Sequence, residues 1–128
     1  MPRILITGSR TWTDEGVVDR ALRDAWRALR DQGPVVLVVG ACPQGADEIA
    51  ERIWRSRGAG EVERHPADWD RDGRGAGFKR NQKMVDLGAD LCLAFAAPCV
   101  KPGCARGEPG HPSHGTQHTI DAARKAGI

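Results

Sequence analysis

The ten residues from Arg3 to Trp12, RILITGSRTW, decide how this chain is read. Arg3 to Gly8 (RILITG) is a short run of apolar and β-branched residues that stops at a glycine. That is the form of a strand covered on both faces, as in a parallel sheet. The mostly polar residues after it, Ser9 to Thr13, lead into a stretch with helical spacing. Strand, tight turn and helix are the opening unit of an α/β domain.

Outward from there the alternation repeats. PVVLVVG (34–40), EVERH (61–65) and ADLCLAFA (89–96) are further strand candidates, each ending at glycine, proline or a polar cluster. The first, second and fourth strands read as central, and the more polar EVERH suits an edge. Between them, residues 14–32 place Val17, Val18, Ala21, Leu22, Ala25, Trp26 and Leu29 on one stripe. Residues 45–57 do the same with Ala46, Ile49, Ala50, Ile53 and Trp54, and residues 76–88 with Phe78, Met84, Val85 and Leu87. A last helix is expected from about Ser113 to Ala126, stopping at Gly127.

Four strand–helix repeats predict one Rossmann-like domain over residues 1–128. It is a three-layer α/β fold whose mainly parallel sheet of four strands, in order 3-2-1-4, has helices on both faces. Two long loops, 66–76 and 97–113, follow strands and so fall at the carboxyl edge of the sheet, where open α/β folds bind ligands.

The totals narrow the function classes. The chain has 128 residues, 40% hydrophobic and 28% charged, with a net charge of +2. That charge argues against nucleic acid as a partner, which calls for a concentrated basic stripe. With no apolar run of transmembrane length and no signal-peptide layout, the expectation is a cytoplasmic protein without a membrane partner. In a reducing compartment the four cysteines are expected as thiols or metal ligands. Cys92 lies in an apolar run and reads as core, and Cys42 lies in a glycine-flanked loop.

Four segments carry site chemistry. In TGSRTW (7–12), Gly8 permits a tight turn that presents backbone N–H groups to an anion. Ser9 offers a hydroxyl, Arg10 a guanidinium fork and Trp12 a flat face. The glycine pattern is not a dinucleotide fingerprint, so NAD is not indicated. GACPQGAD (40–47) has P-loop glycine spacing, but Ala46-Asp47 stands where Lys-Ser/Thr would hold phosphates and magnesium. Asp47 then serves either a ribose hydroxyl or the start of its own helix.

In HPADWDRDGRGAGFKRNQKM (65–84), Lys79, Arg80 and Asn81 fall in the first turns of a helix, where cations are mildly unfavourable. They read either as anion ligands or as a solvated basic face, with Trp69 placed to stack on a base. In PSHGTQHTIDAARKAG (112–127), Ser113 is an N-cap candidate, and Gly115 and Thr116 supply N–H groups and a hydroxyl for a second phosphate edge.

ILITGSRTW, GADEIAERIW, HPADWDRDGRGAGFKRNQKM and SHGTQHTIDAARKAGI, in that order over nearly the whole chain, resemble the YspA/YpsA-related branch of the SLOG superfamily. These Rossmann-like proteins are related to the LOG phosphoribohydrolases and to the DNA-processing protein DprA. The resemblance implies a pocket for a nucleotide or nucleotide-derived ligand. LOG enzymes carry a catalytic arginine in an R-K-x-x-M helix and a glutamate in P-G-G-x-G-T-x-x-E. Here Arg80, Lys83 and Met84 lie in a similar helix, and Gly115-Thr116 match the G-T. Thr119 stands at the glutamate position and cannot act as a carboxylate. Asp121, two residues on, faces another side of the helix. The expectation is therefore ligand binding, with LOG-like hydrolysis through Arg80 as the alternative and DprA-like single-strand binding behind it.

Cys99-x4-Cys104 with His114-x3-His118 comes close to zinc-ligand spacing, with His111 as a substitute ligand. The expected ion is a structural zinc that ties down a Pro/Gly-rich loop. The competing reading is two free loop thiols and separately employed histidines. A catalytic zinc is not indicated, because neither H-E-x-x-H nor a deaminase P-C-x-x-C is present. The amphipathic helices do not separate a core face from a dimer face, so a homo-oligomer stays open.

Overall fold

A computed structural model of the chain describes residues 2–9, 11–40, 44–73, 76–95 and 114–128. Four strands, β1 (Arg3–Gly8), β2 (Val36–Val39), β3 (Glu61–Arg64) and β4 (Leu91–Phe95), form one sheet in the order β3-β2-β1-β4. Every pairing is parallel. The helices are α1 (Glu15–Leu29), α2 (Ala46–Arg57), a single turn α3 (Trp69–Asp72), α4 (Ala76–Asp86) and α5 (His114–Lys125). A short 3-10 turn, Arg30–Gln32, extends α1 to the end of the stretch predicted to be helical.

The handedness of parallel crossovers distributes the helices. The chain steps in one direction from β1 to β2 to β3, so right-handed connections put α1 and α2 on the same face. It then returns across the sheet to β4, and the same rule sends α4 to the other face, where α5 joins it. The side chains agree with this. Ile4, Ile6, Leu37 and Val39 point to the α1/α2 face and pack with Val18, Leu22, Ile49, Ala50 and Trp54. Their alternates Leu5, Val36 and Val38 pack with Met84 and Val85 of α4 and Ala122 and Ala123 of α5.

Local sequence explains the element ends. Asp14 caps α1, its carboxylate accepting the Val17 N–H at 3.2 Å. Asp68 does the same for α3, accepting the Arg71 N–H at 3.1 Å.

Three expectations need correction. The 66–76 segment is not loop throughout, because the Asp68 cap starts the α3 turn and places Trp69 at its beginning. β4 is an edge strand paired with β1 alone among the described residues, and its residues Leu91 to Ala94 are half-buried or exposed. An apolar run shows that a strand lacks polar positions but does not count its neighbours. Leu87 is 52% exposed, because α4 ends at Asp86 and the helical spacing no longer governs where Leu87 points. Cys92 is half-buried against the second core, and that burial pushes its thiol pKa up. No helix among the described residues is long and apolar enough to cross a membrane.

Candidate functional site

The strand order places the switch point between β1 and β4, and the carboxyl ends of β1, β2 and β4 open on the same side. The β1 end is built first by close packing. A Cβ on Gly8 would collide with the Ala46 Cβ and lie 3.0 Å from the Phe95 carbonyl oxygen. Only a residue without a side chain lets the start of α2 come this near β1. Ser9 then ties three elements together. Its N–H donates to the Phe95 carbonyl at 3.0 Å, and its carbonyl accepts from the N–H groups of Trp12 and Ala46, both at 3.2 Å. Trp12 lies half-buried beside Phe95, ring centroids 5.7 Å apart and planes tilted by 54°. Its indole N–H donates to the Asp14 carbonyl at 3.1 Å.

The β2 end holds the charged part. Gly40 follows β2 directly, and its N–H donates to the Asp47 carboxylate at 3.3 Å. Its carbonyl accepts from Arg80 Nη1. A side chain on Gly40 would lie 2.5 Å from Arg80 Nη1 and 3.0 Å from Asp47 Oδ2, so the two groups flank the same backbone point from α4 and α2. Arg80 Nη1 also reaches the His65 carbonyl at 3.4 Å, and Arg80 Nε donates to the Asn81 side chain at 2.7 Å. A cation in the first turns of α4 is thus held by carbonyls at the ends of β2 and β3. This accounts for a charge that the α4 helix alone does not favour.

Behind this lies a network that the sequence reading did not pick out. Arg3 at the start of β1 reaches over β2 to Glu63 of β3 with two bonds, at 2.8 and 2.7 Å. His65 Nε2 donates to the same carboxylate at 2.6 Å. Arg3, then His65, hold the Glu63 carboxyl down at about 2. The sequence signal was the alternation of Glu61, Glu63 and His65 along β3 and the residue after it, which puts all three on one face.

Of the predicted ligand residues, Gly8, Ser9, Trp12, Asp47, Arg80 and Asn81 gather around these two strand ends. Ser9, Asp47 and Asn81 are only 3%, 9% and 7% exposed, whereas Trp12 and Arg80 are half-buried. Gly40, His65 and Phe95 join them without having been singled out. Arg10, Ser113, Cys99, Cys104 and His111 lie outside the described residues. Trp69 begins α3, and His114, Gly115, Thr116 and His118 lie in the first turns of α5. Thr119 is fully buried and Asp121 is exposed.

Comparison with known proteins adds three findings. The model of the YspA, cpYpsA-related SLOG family matches residues 2–71. The chain is 42% identical to the gene 61 protein of Mycobacterium phage D29 over 138 aligned positions, which cover 100% of this chain and 93% of that protein. No solved structure matches significantly.

Proposed function

Since the chain belongs to the YspA, cpYpsA-related SLOG family, we propose that its carboxyl-edge crevice binds a nucleotide or nucleotide-derived ligand. One observation carries the reading. The guanidinium of Arg80 and the carboxylate of Asp47 meet at Gly40, just past β2, next to a β1 turn packed too tightly to admit a side chain at Gly8. A cation for phosphate, a carboxylate for a sugar hydroxyl and a close approach of backbone are what a nucleotide asks of an α/β edge.

Burial divides the labour. Ser9 and Asn81 fix the frame, Asp47 offers its carboxylate to a sugar hydroxyl, and Arg80 and Trp12 keep surface for contact, Arg80 with phosphate and Trp12 with a base. Arg10, Ser113, Gly115 and Thr116 complete the phosphate edge in this reading, with Trp69 as a second stacking face. The zinc clip of Cys99, Cys104, His114 and His118, with His111 in reserve, remains a proposal on spacing alone.

Binding is favoured over hydrolysis by the state of Thr119. The position matching the LOG glutamate is fully buried and bears a hydroxyl, so it offers no carboxylate to an oxocarbenium charge.

Calorimetric titration with nucleoside monophosphates, ADP-ribose and cyclic dinucleotides tests the proposal. One of these ligands is expected to bind one per chain, at least tenfold more weakly to Asp47→Asn, which keeps an acceptor for the Gly40 N–H. If no nucleotide binds, or binding ignores both Asp47→Asn and Arg80→Gln, the proposal fails. Chromatography of the same mixtures for free base would expose hydrolysis.

A further inference from the structure

Away from that crevice, α1 and α2 flank a half-open cavity of about 420 Å³. Helices in such a fold run back from the carboxyl edge, and this cavity lies by their carboxyl-terminal halves, toward the amino ends of the strands. Its walls are apolar: Leu22 and Trp26 from α1, Ile53 and Trp54 from α2. Its volume lies within the roughly 300–1,000 Å³ of ordinary small-molecule sites.

Its polar groups are nearly all donors. Arg23, Arg27 and Arg57 line it, against one carboxylate, Asp19. Asp19 is already shared: its Oδ2 accepts from Arg23 at 3.2 Å and from Arg57 at 3.0 Å, and its Oδ1 lies 2.9 Å from Arg57 Nη2 as an ion-pair contact. Arg27 has no ion-pair partner among the described residues. Trp54 is 2% exposed, and its indole N–H is buried without a hydrogen-bond acceptor among the described residues. Native proteins leave few such donors unmatched, and a cavity wall is where one can be matched by a ligand.

We propose that this cavity is a second binding site, for a small organic anion with a flat or aliphatic apolar body, such as a hydrophobic carboxylate or sulfonate. The apolar body fills the space between the two tryptophans, and the acid group meets the arginine rim. The excess of positive charge at the rim argues for an anion and against a neutral hydrophobe. This site stands on its own residues and does not depend on the nucleotide reading.

The test uses the full chain and the fluorescent probe 1-anilinonaphthalene-8-sulfonate, followed by its emission and by the quenching of tryptophan. Saturable binding of one probe per chain is expected. Arg27→Gln, a surface change on an exposed helix position, should weaken it about three- to fivefold, the size of one exposed charge pair. Ala59→Leu, which grows a side chain into the cavity, should weaken it about tenfold or more. Uncharged N-phenyl-1-naphthylamine should bind more weakly than the sulfonate.

Equal binding of the uncharged probe would overturn the anion assignment. Binding that ignores both variants, or no saturable binding at all, would overturn the site. Sedimentation supplies another way to fail: a dimer that either variant dissociates would mean that a second copy of the chain covers this face. Melting curves followed by circular dichroism show whether each variant folds. Should Ala59→Leu not fold, Arg27→Gln decides the matter alone.

Discussion

The two faces of the sheet are covered by different means. On the α1/α2 face, large side chains from strands and helices meet, with Ile4, Ile6, Leu37 and Val39 against Leu22, Ile49 and Trp54. On the other face, Leu5, Val36 and Val38 meet Met84, Val85 and the small residues Ala122 and Ala123. There the β3 side is spanned by the Arg3–Glu63–His65 network rather than by apolar packing. The first face is a self-sufficient apolar layer. The second depends on polar geometry and on α5, which reaches it only after the long segment past β4. The bulk of the core thus lies under α1 and α2, and α4, which carries Arg80 and Asn81, lies on the thinner side.

Matched substitutions on the two faces test this division. Leu37 and Leu5 are both fully buried, one on each face. Leu37→Ala should cost about 4 kcal/mol and Leu5→Ala about 3, because smaller neighbours can close more of the void. Urea unfolding measures both, and the reverse order would break the comparison.

Next in size is Gly8→Ala. The new methyl meets Ala46 and the Phe95 carbonyl, neither of which can swing aside as a flexible side chain would. A loss of about 2 kcal/mol is expected, together with weaker nucleotide binding, read by thermal melts with and without ligand.

The smallest effect belongs to the ion network. Glu63→Gln should cost about 1 kcal/mol or less at neutral pH, since the carboxylate is partly solvated. Its pH dependence is the sharper readout. The folded carboxyl sits at about 2, below its ordinary 4.5. The unfolded chain therefore binds more protons between those values, and stability rises with pH across them. The contribution is fully present above about pH 4.5 and is lost as pH falls toward 2. In Glu63→Gln this part of the acid-unfolding profile should vanish. A profile identical to that of the parent chain would mean that the network does not brace the second face.

Much of this was legible in the sequence. The strand order, the parallel sheet and the positions of four helices followed from alternating periodicities and from the handedness rule. Gly8 was readable because a glycine closing a first strand has few other uses. Of the expected ligand residues, Asp47, Arg80 and Asn81 do come together at the end of β2. What each does was not readable, since the carbonyls that hold Arg80 come from Gly40 and His65, residues 40 and 15 positions away. Spacing along a chain carries no record of such partners. The cavity between α1 and α2 was hidden for a related reason. Trp26 and Ile53 sit at the margins of apolar stripes, where helical periodicity does not distinguish packing from lining.

The two borders of the sheet have one further consequence. β3 carries Glu61, Glu63 and Arg64 in four residues, whereas β4 reads Leu-Cys-Leu-Ala-Phe. Charged side chains discourage another strand from adding at an edge, and apolar ones do not. Among the described residues the sheet therefore has a direction of growth. A strand added by insertion, by fusion or by a partner chain would be discouraged beside β3 and tolerated beside β4, one strand out from the switch point. Any such enlargement would lengthen the carboxyl edge on which the proposed crevice opens, so that widening this sheet would also extend the surface around the proposed site.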